Sequence, residues 1–171
     1  MSHLAEDYAN RQYAVIRRTV IKALASVNGI LLAASALLYA VRYPLLRLIF
    51  LHGKMDAAGV DRMAHILPYH LVGLAPFGAL LVLARAHVAT KNGAIMISMG
   101  ILNATSNVVF NLVLSRFLGL EGIALSTSCV HTAVAIVFWF RLEARLAELK
   151  SRPSAAPEPL SEPASLQGPS A

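Results

Sequence analysis

The sequence AIMISMGILNATSNVVFNLVLSRFL, residues 94–118, is a long apolar run whose single formal charge, Arg116, lies near one end. At about 1.5 Å of rise per residue, an α-helix of this length crosses the roughly 30 Å hydrocarbon core of a bilayer. The run therefore predicts a membrane-spanning helix.

Three amide side chains interrupt this helix at a spacing of four residues: Asn103, Asn107 and Asn111. That spacing places them on one helix face. An unpaired amide is costly against lipid, so the face should meet other helices or a hydrated cavity. Interhelical hydrogen bonds that fix packing are the favoured interpretation, and lining of a substrate path is the alternative.

The composition of the whole chain indicates an integral membrane protein. Hydrophobic residues make up 57% of the sequence and charged residues 14%, whereas ordinary soluble domains contain about a quarter charged residues. The net charge is +6, but the cations are dispersed at the ends of apolar segments rather than gathered on one face. Membrane lipid headgroups are therefore expected partners, and nucleic acid is not.

Three further apolar segments accompany the first, so we expect an all-α integral membrane fold. Its four transmembrane helices should lie at about 13–40, 60–88, 94–118 and 123–140. Pro44 should end the first helix and leave a short interfacial helix near 45–51. Pro68 and Pro76 should kink the second.

The chain divides into three parts on the same evidence. Residues 1–12 read as a polar cytoplasmic lead-in, and residues 13–146 as the four-helix membrane domain. Residues 147–171 are assigned to a mostly disordered tail. The fourth helix is expected to continue in water through RLEARLAELKSR, residues 141–152, and the stretch from Ser151 onward, rich in Pro, Ser and Ala, cannot bury enough apolar surface to offset the entropy of folding.

Small residues at four-residue spacing mark two candidate helix-packing stripes, which would let neighbouring backbones approach closely. The first stripe consists of Ala25, Gly29 and Ala33, and the second of Ala124, Ser128 and Thr132. Arg85, near the end of the second span, is interpreted first as an interfacial anchor and second as a phosphate contact, which its planar guanidinium would suit.

The sequence indicates no catalytic residue, no metal site and no cofactor. The histidines lack the helical spacing with carboxylate or cysteine partners that metal sites show, and no acid/base pair or nucleophile motif appears. An intramembrane enzyme is therefore disfavoured.

The distribution of Lys and Arg predicts the orientation. With the termini on the cytoplasmic side, ten basic residues lie inside and five outside. The excess favours a multi-pass protein of the cytoplasmic (inner) membrane with both termini in the cytoplasm.

Several motifs in order carry a family resemblance: LIFLHGKMDAAGVDR at 48–62, VLARAHVATKN at 82–92, the three amides, and LGLEGIALSTS at 118–128. Over about residues 11–146 the chain resembles the second half of the MurJ/MviN lipid flippases of the multidrug/oligosaccharidyl-lipid/polysaccharide superfamily. The resemblance implies the ninth to twelfth helices, the last third, of a twelve-helix core. The family's essential cavity residues belong to earlier helices, so none is carried over.

The resemblance implies part of a flippase that moves lipid-linked cell-wall or polysaccharide precursors across the membrane and is inactive alone. A lipid II-like or oligosaccharide-linked lipid would be the cargo. The missing N-terminal helices of the transporter, or another membrane protein, would be the partner. The alternative is a small four-span membrane scaffold or interaction protein that uses the two small-residue stripes.

Overall fold

A computed structural model describes residues 4, 8, 10, 12–51 and 55–151 of the chain. They form five helices: α1 (Tyr13–Phe50), α2 (Ala57–Leu71), α3 (Leu74–Ala89), α4 (Ile95–Leu118) and α5 (Leu120–Ser151). Because α2 and α3 together make one interrupted span, the described residues contain four helices long and apolar enough to cross a membrane. The all-α architecture with four transmembrane helices is confirmed, and the protein is a multi-pass membrane protein.

The predicted end of the first helix at Pro44, with a separate interfacial helix near 45–51, is wrong. α1 is a single helix of 38 residues that passes through Pro44 and ends at Phe50. Proline removes one backbone donor but has a helical φ, and membrane helices tolerate it where nearby groups serve the freed carbonyls. Pro44 leaves the Ala40 carbonyl without its usual backbone donor. Arg42 Nη1 donates to the neighbouring Tyr39 carbonyl at 2.7 Å.

The second span is interrupted at Val72 and Gly73, between its two prolines. The Gly73 N–H turns back to the His70 carbonyl at 3.0 Å, and Pro76 has no N–H to give to the Val72 carbonyl. The chain then resumes as α3. The kink predicted from Pro68 and Pro76 is therefore confirmed as a break between α2 and α3.

α5 continues beyond its apolar part to Ser151, as expected for the segment 141–152, so residues 147–151, the first part of the assigned tail, are helical. Leu142, Leu146 and Leu149 are buried in this extension. It is tied to the start of α1 by the ion pair between Arg17 Nε and Glu143 Oε1 at 2.7 Å. The remainder of the predicted tail, 152–171, and most of the predicted lead-in lie outside the described residues.

The helices pack in a row rather than in a closed ring. α4 packs on α5, α5 packs on α2 and α3, and these two pack on α1, while α1 and α5 barely touch. The main core joins one end of α1 to α3 and α5 through Ile16, Val20, Leu83, Val134 and Phe138. Because the row is open, a groove runs between α1 and α5.

Candidate functional site

This groove between α1, α3 and α5 forms a cavity with a volume of about 670 Å³. Its walls are apolar and carry no formal charge. On one wall the Oδ1 atom of Asn28 is buried without a hydrogen-bond partner among the described residues. The lining residues are Leu24, Asn28, Leu32, Ala75, Pro76, Ala79, Leu83, Thr132, Ala135, Ile136, Trp139 and Phe140.

The amide stripe of α4 lies at the opposite side of the row, against α5. Asn111 Nδ2 donates to Asn107 Oδ1 at 2.7 Å, and Ser126 Oγ of α5 donates to Asn111 Oδ1 at 2.6 Å. Asn103 continues the stripe, and its Oδ1 is buried without a partner in the described part of the chain. Two of the three amides thus belong to a hydrogen-bond chain between helices, which is the arrangement that packing requires.

Arg85 is exposed in the last turns of α3. The amide stripe lies on α4, which has little contact with α3. The structure therefore does not gather the four substrate-path candidates, Arg85 and the three amides, into one site.

The second small-residue stripe packs through two of its three members. Ala124 and Ser128 are buried, and Ser128 Oγ donates to the Tyr69 carbonyl of α2 at 2.7 Å. Thr132 is exposed, and its hydroxyl donates to the Ser128 carbonyl at 2.8 Å. The packing contact predicted at Thr132 is therefore not formed, because this residue faces the open groove rather than the α2–α3 break.

The first small-residue stripe differs from the prediction at every member. Ala25 is exposed, Gly29 is exposed and Ala33 is exposed, so none of the three packs against another described helix of this chain. A Cβ added at Gly29 would meet no atom within 4 Å. The physical reason is the open row: α1 lies at its edge and turns Ala25, Gly29 and Ala33 away from α2 and α3. A packing role for Ala33 and its two companions would need a helix from outside the described part of the chain.

Three glycines that the sequence reasoning missed lie so close to a neighbouring helix that an added Cβ would collide with it. A Cβ at Gly73 would lie 2.5 Å from Ser128 Oγ and 2.8 Å from Ser128 Cα. A Cβ at Gly78 would collide with Leu31 of α1, and one at Gly122 with the Leu114 carbonyl of α4. Only Gly73 had a local signal, since it lies between two prolines.

His87 is buried and joins three elements. Its Nε2 lies 3.0 Å from the Phe138 carbonyl of α5, and its Nδ1 lies 3.2 Å from Asn92 Nδ2 in the α3–α4 turn. Since the amide nitrogen can only donate, Nδ1 accepts and Nε2–H donates. The histidine thus holds the turn against α5. Among the described residues, no three His, Cys, Asp or Glu side chains are grouped to hold a metal ion.

Comparison with known proteins gives one consistent result. A family model described as the lipid II flippase MurJ matches residues 1–156. A probable lipid II flippase MurJ of Vibrio cholerae serotype O1 is 28% identical over 85 residues, which is 50% of this chain and 16% of that protein.

Among solved structures, a lipid II flippase MurJ in an inward closed conformation has the same fold over 85% of this chain, with a TM-score of 0.71 and 18% sequence identity. The match covers 32% of that chain. The present chain thus spans about a third of the solved relative.

Proposed function

The chain belongs to the MurJ family of lipid II flippases, and from that membership we propose that it forms part of a flippase for lipid-linked cell-wall precursors. The cargo class would be a lipid II-like or oligosaccharide-linked lipid whose polar headgroup crosses the cytoplasmic membrane while its tail stays in the bilayer. The observation on which the proposal rests is the family match over residues 1–156, which include the whole membrane domain. The proposed function is transport, and no enzymatic step is proposed.

We further propose that the chain works together with other membrane helices. Two surfaces support this: the open groove, where Asn28 Oδ1 has no partner among the described residues, and the stripe around Gly29 on α1, which no described helix covers. A transporter that alternates its access needs two helical halves that move against each other, and these four spans form one row. On this proposal the chain alone does not transport.

The orientation is proposed with both termini in the cytoplasm. The Arg17–Glu143 ion pair brings the start of α1 and the end of α5 to one end of the bundle. The basic side chains Arg18, Lys22, Lys91 and Arg141 belong to segments at that same end. The excess of cations there supports a cytoplasmic placement.

The amides and Arg85 stay proposals as path residues. The hydrogen bonds of Asn107 and Asn111 to each other and to Ser126 favour a packing role for these two. Asn103 is the amide whose Oδ1 accepts no hydrogen bond from the described residues, and Arg85 is exposed for a headgroup contact. These two are the better candidates for touching a polar cargo.

The test is complementation of a bacterium depleted of its own lipid II flippase. We expect the full chain alone to leave growth unrestored, and co-expression with the helices that precede the matched region in a family member to restore it. Those helices without this chain are the control. Growth restored by the chain alone would refute the need for further helices. The flippase proposal would be refuted if growth stayed unrestored with the preceding helices of several family members, each shown to associate with the chain.

The scaffold alternative is favoured by one observation, the exposed stripe of α1. It predicts that Gly29→Leu abolishes co-purification with a membrane protein unrelated to flippases. Cross-linking in native membranes followed by mass spectrometry separates the two proposals, because the flippase proposal expects flippase helices among the cross-linked products.

A further inference from the structure

A second, polar pocket of about 400 Å³ lies between the beginning of α4 and the extension of α5. Unlike the groove, it is lined mainly by polar and charged side chains. The lining residues are Asn92, Ala94, Ile95, Ser98, Arg141, Ala144, Arg145 and Glu148.

Two arginines give this pocket a positive charge. Arg141 and Arg145 are four residues apart on α5 and so share one helix face. With Glu148 as the only carboxylate in the lining, the formal charge of the pocket is positive. Arg145 Nη1 donates to Glu148 Oε2 at 3.1 Å, while its Nε is buried with no acceptor among the described residues. A guanidinium has five N–H donors, so Arg145 keeps donors for a further acceptor.

The start of α4 adds a second source of positive potential. This helix of 24 residues begins after Ala94 without any side-chain cap. The N–H groups of Ile95 and Met96 donate to the Asn92 and Gly93 carbonyls of the preceding turn at 3.4 and 3.0 Å, and the start of the helix carries the positive end of the helix dipole. Ala94 and Ile95 lie in the pocket lining, so this end contributes to the same space as the two arginines.

The aromatic residues that precede Arg141 indicate that the pocket lies at the level of the lipid headgroups. Trp139 and Phe140, which end the apolar part of α5, directly precede Arg141, and aromatic side chains of this kind mark the membrane–water interface. Arg141 is exposed. The pocket can therefore be reached both from the headgroup layer and from water.

We propose that this pocket binds a phosphate group, supplied by the headgroup of an anionic membrane lipid or by a soluble phosphate compound. Phosphate oxygens match the planar donors of arginine, and negative charge is favoured at a helix start. Glu148 competes with the phosphate for Arg145. The inference requires only that the chain lies in a membrane, so it stands or falls separately from the flippase proposal.

The experiment measures ligands retained by the detergent-solubilised full chain, using native mass spectrometry. The probes are short-chain phosphatidylglycerol, phosphatidylcholine with the same chains, and inorganic pyrophosphate. The pocket variant is Arg141→Gln/Arg145→Gln. The matched control, Arg18→Gln/Lys22→Gln, removes the same charge at the same end of the bundle from residues that do not line this pocket.

If a lipid supplies the phosphate, the parent protein and the control variant should retain phosphatidylglycerol about tenfold better than phosphatidylcholine, and the pocket variant should lose that preference. If a soluble compound supplies it, pyrophosphate should be retained with the same dependence on the variants and with no lipid preference. Glu148→Gln, which removes the competing carboxylate, should strengthen binding severalfold. This gain tests the pocket even if the double variant folds poorly.

The proposal is overturned if the parent retains neither probe over phosphatidylcholine. It is also overturned if the control variant loses binding as fully as the pocket variant does, because general surface charge would then account for the result. Weaker binding in Glu148→Gln would likewise contradict it.

Discussion

Replacing Gly73 with alanine should destabilise the bundle by about 2–3 kcal/mol, because the added methyl group has no room. Its Cβ would lie 2.5 Å from Ser128 Oγ and 2.8 Å from Ser128 Cα, so the backbones of α5 and the α2–α3 break must separate. The separation also weakens the hydrogen bond from Ser128 to the Tyr69 carbonyl, which adds roughly 0.6 kcal/mol on the scale of membrane proteins. The φ of Gly73 is −80°, which alanine adopts freely, so the loss comes from the contact alone.

Two other glycines provide matched controls for the same substitution. At Gly78 the nearest atom to an added Cβ is the terminal Cδ1 of Leu31, which can rotate away, so the loss should be smaller. At Gly29 the Cβ would meet nothing within 4 Å, so Gly29→Ala should be neutral or stabilising by up to about 1 kcal/mol. The stability of the three variants should therefore decrease in the order Gly29→Ala, Gly78→Ala, Gly73→Ala.

The assay uses the single cysteine of the chain. Cys129 is half-buried next to Ser128, so a thiol-reactive fluorogenic dye reports its exposure as the protein is heated in detergent. Gly73→Ala should expose it at a lower temperature than the parent protein does. Equal melting of Gly73→Ala and Gly29→Ala would refute the close contact between the break and α5.

Three further outcomes are expected. Asn111→Leu should destabilise the α4–α5 contact by about 1–2 kcal/mol and Asn107→Leu by about 0.5–1 kcal/mol, because Asn111 bonds both Asn107 and Ser126. SDS-induced unfolding measures the loss in each variant, and equal losses in the two variants would contradict the larger role of Asn111. His87→Leu should cost about 2–3 kcal/mol, since it removes the bond to α5 and leaves the Asn92 amide short of an acceptor; thermal unfolding at one detergent concentration would show it, and an unchanged midpoint would be the contrary result. A green fluorescent protein fused after the last residue should fluoresce in the cytoplasm, whereas an alkaline phosphatase fusion active at that site would reverse the proposed orientation.

The spans themselves could be predicted because length and apolar composition are local properties. Residues 94–118 correspond to α4 almost residue for residue. The break in the second span was also readable, since Pro68 and Pro76 each remove a backbone donor. The same rule gave a wrong prediction at Pro44, where α1 continues as a helix. Whether a proline ends a helix depends on whether other groups bond the freed carbonyl, and the sequence alone does not show this.

The contacts between helices were only partly predictable. The amide spacing indicated a polar face, and the partner of that face, Ser126, lies on the next helix, so sequence proximity was a fair guide. The groove and the polar pocket depend on which helices become neighbours. Asn92 and Arg145, for example, lie far apart in the sequence but line one cavity. No local pattern of either residue indicates the other.

The open groove follows from where the bundle places its tightest contacts. Gly73 lets α5 approach the start of α3, and Gly78 lets α1 approach α3 through Val27 and Leu31. Gly73 directly precedes α3 and Gly78 lies within it, five residues later; on a regular helix of 3.6 residues per turn this separation corresponds to about 140°. α1 and α5 therefore lie on different sides of α3 and cannot close over its remaining face, where Ala75 and Ala79 line the groove. Gly73 and Gly78, which set these close contacts, are five positions apart rather than four, so a search for four-residue stripes passes over them and selects, besides the α5 stripe, the uncovered face of α1.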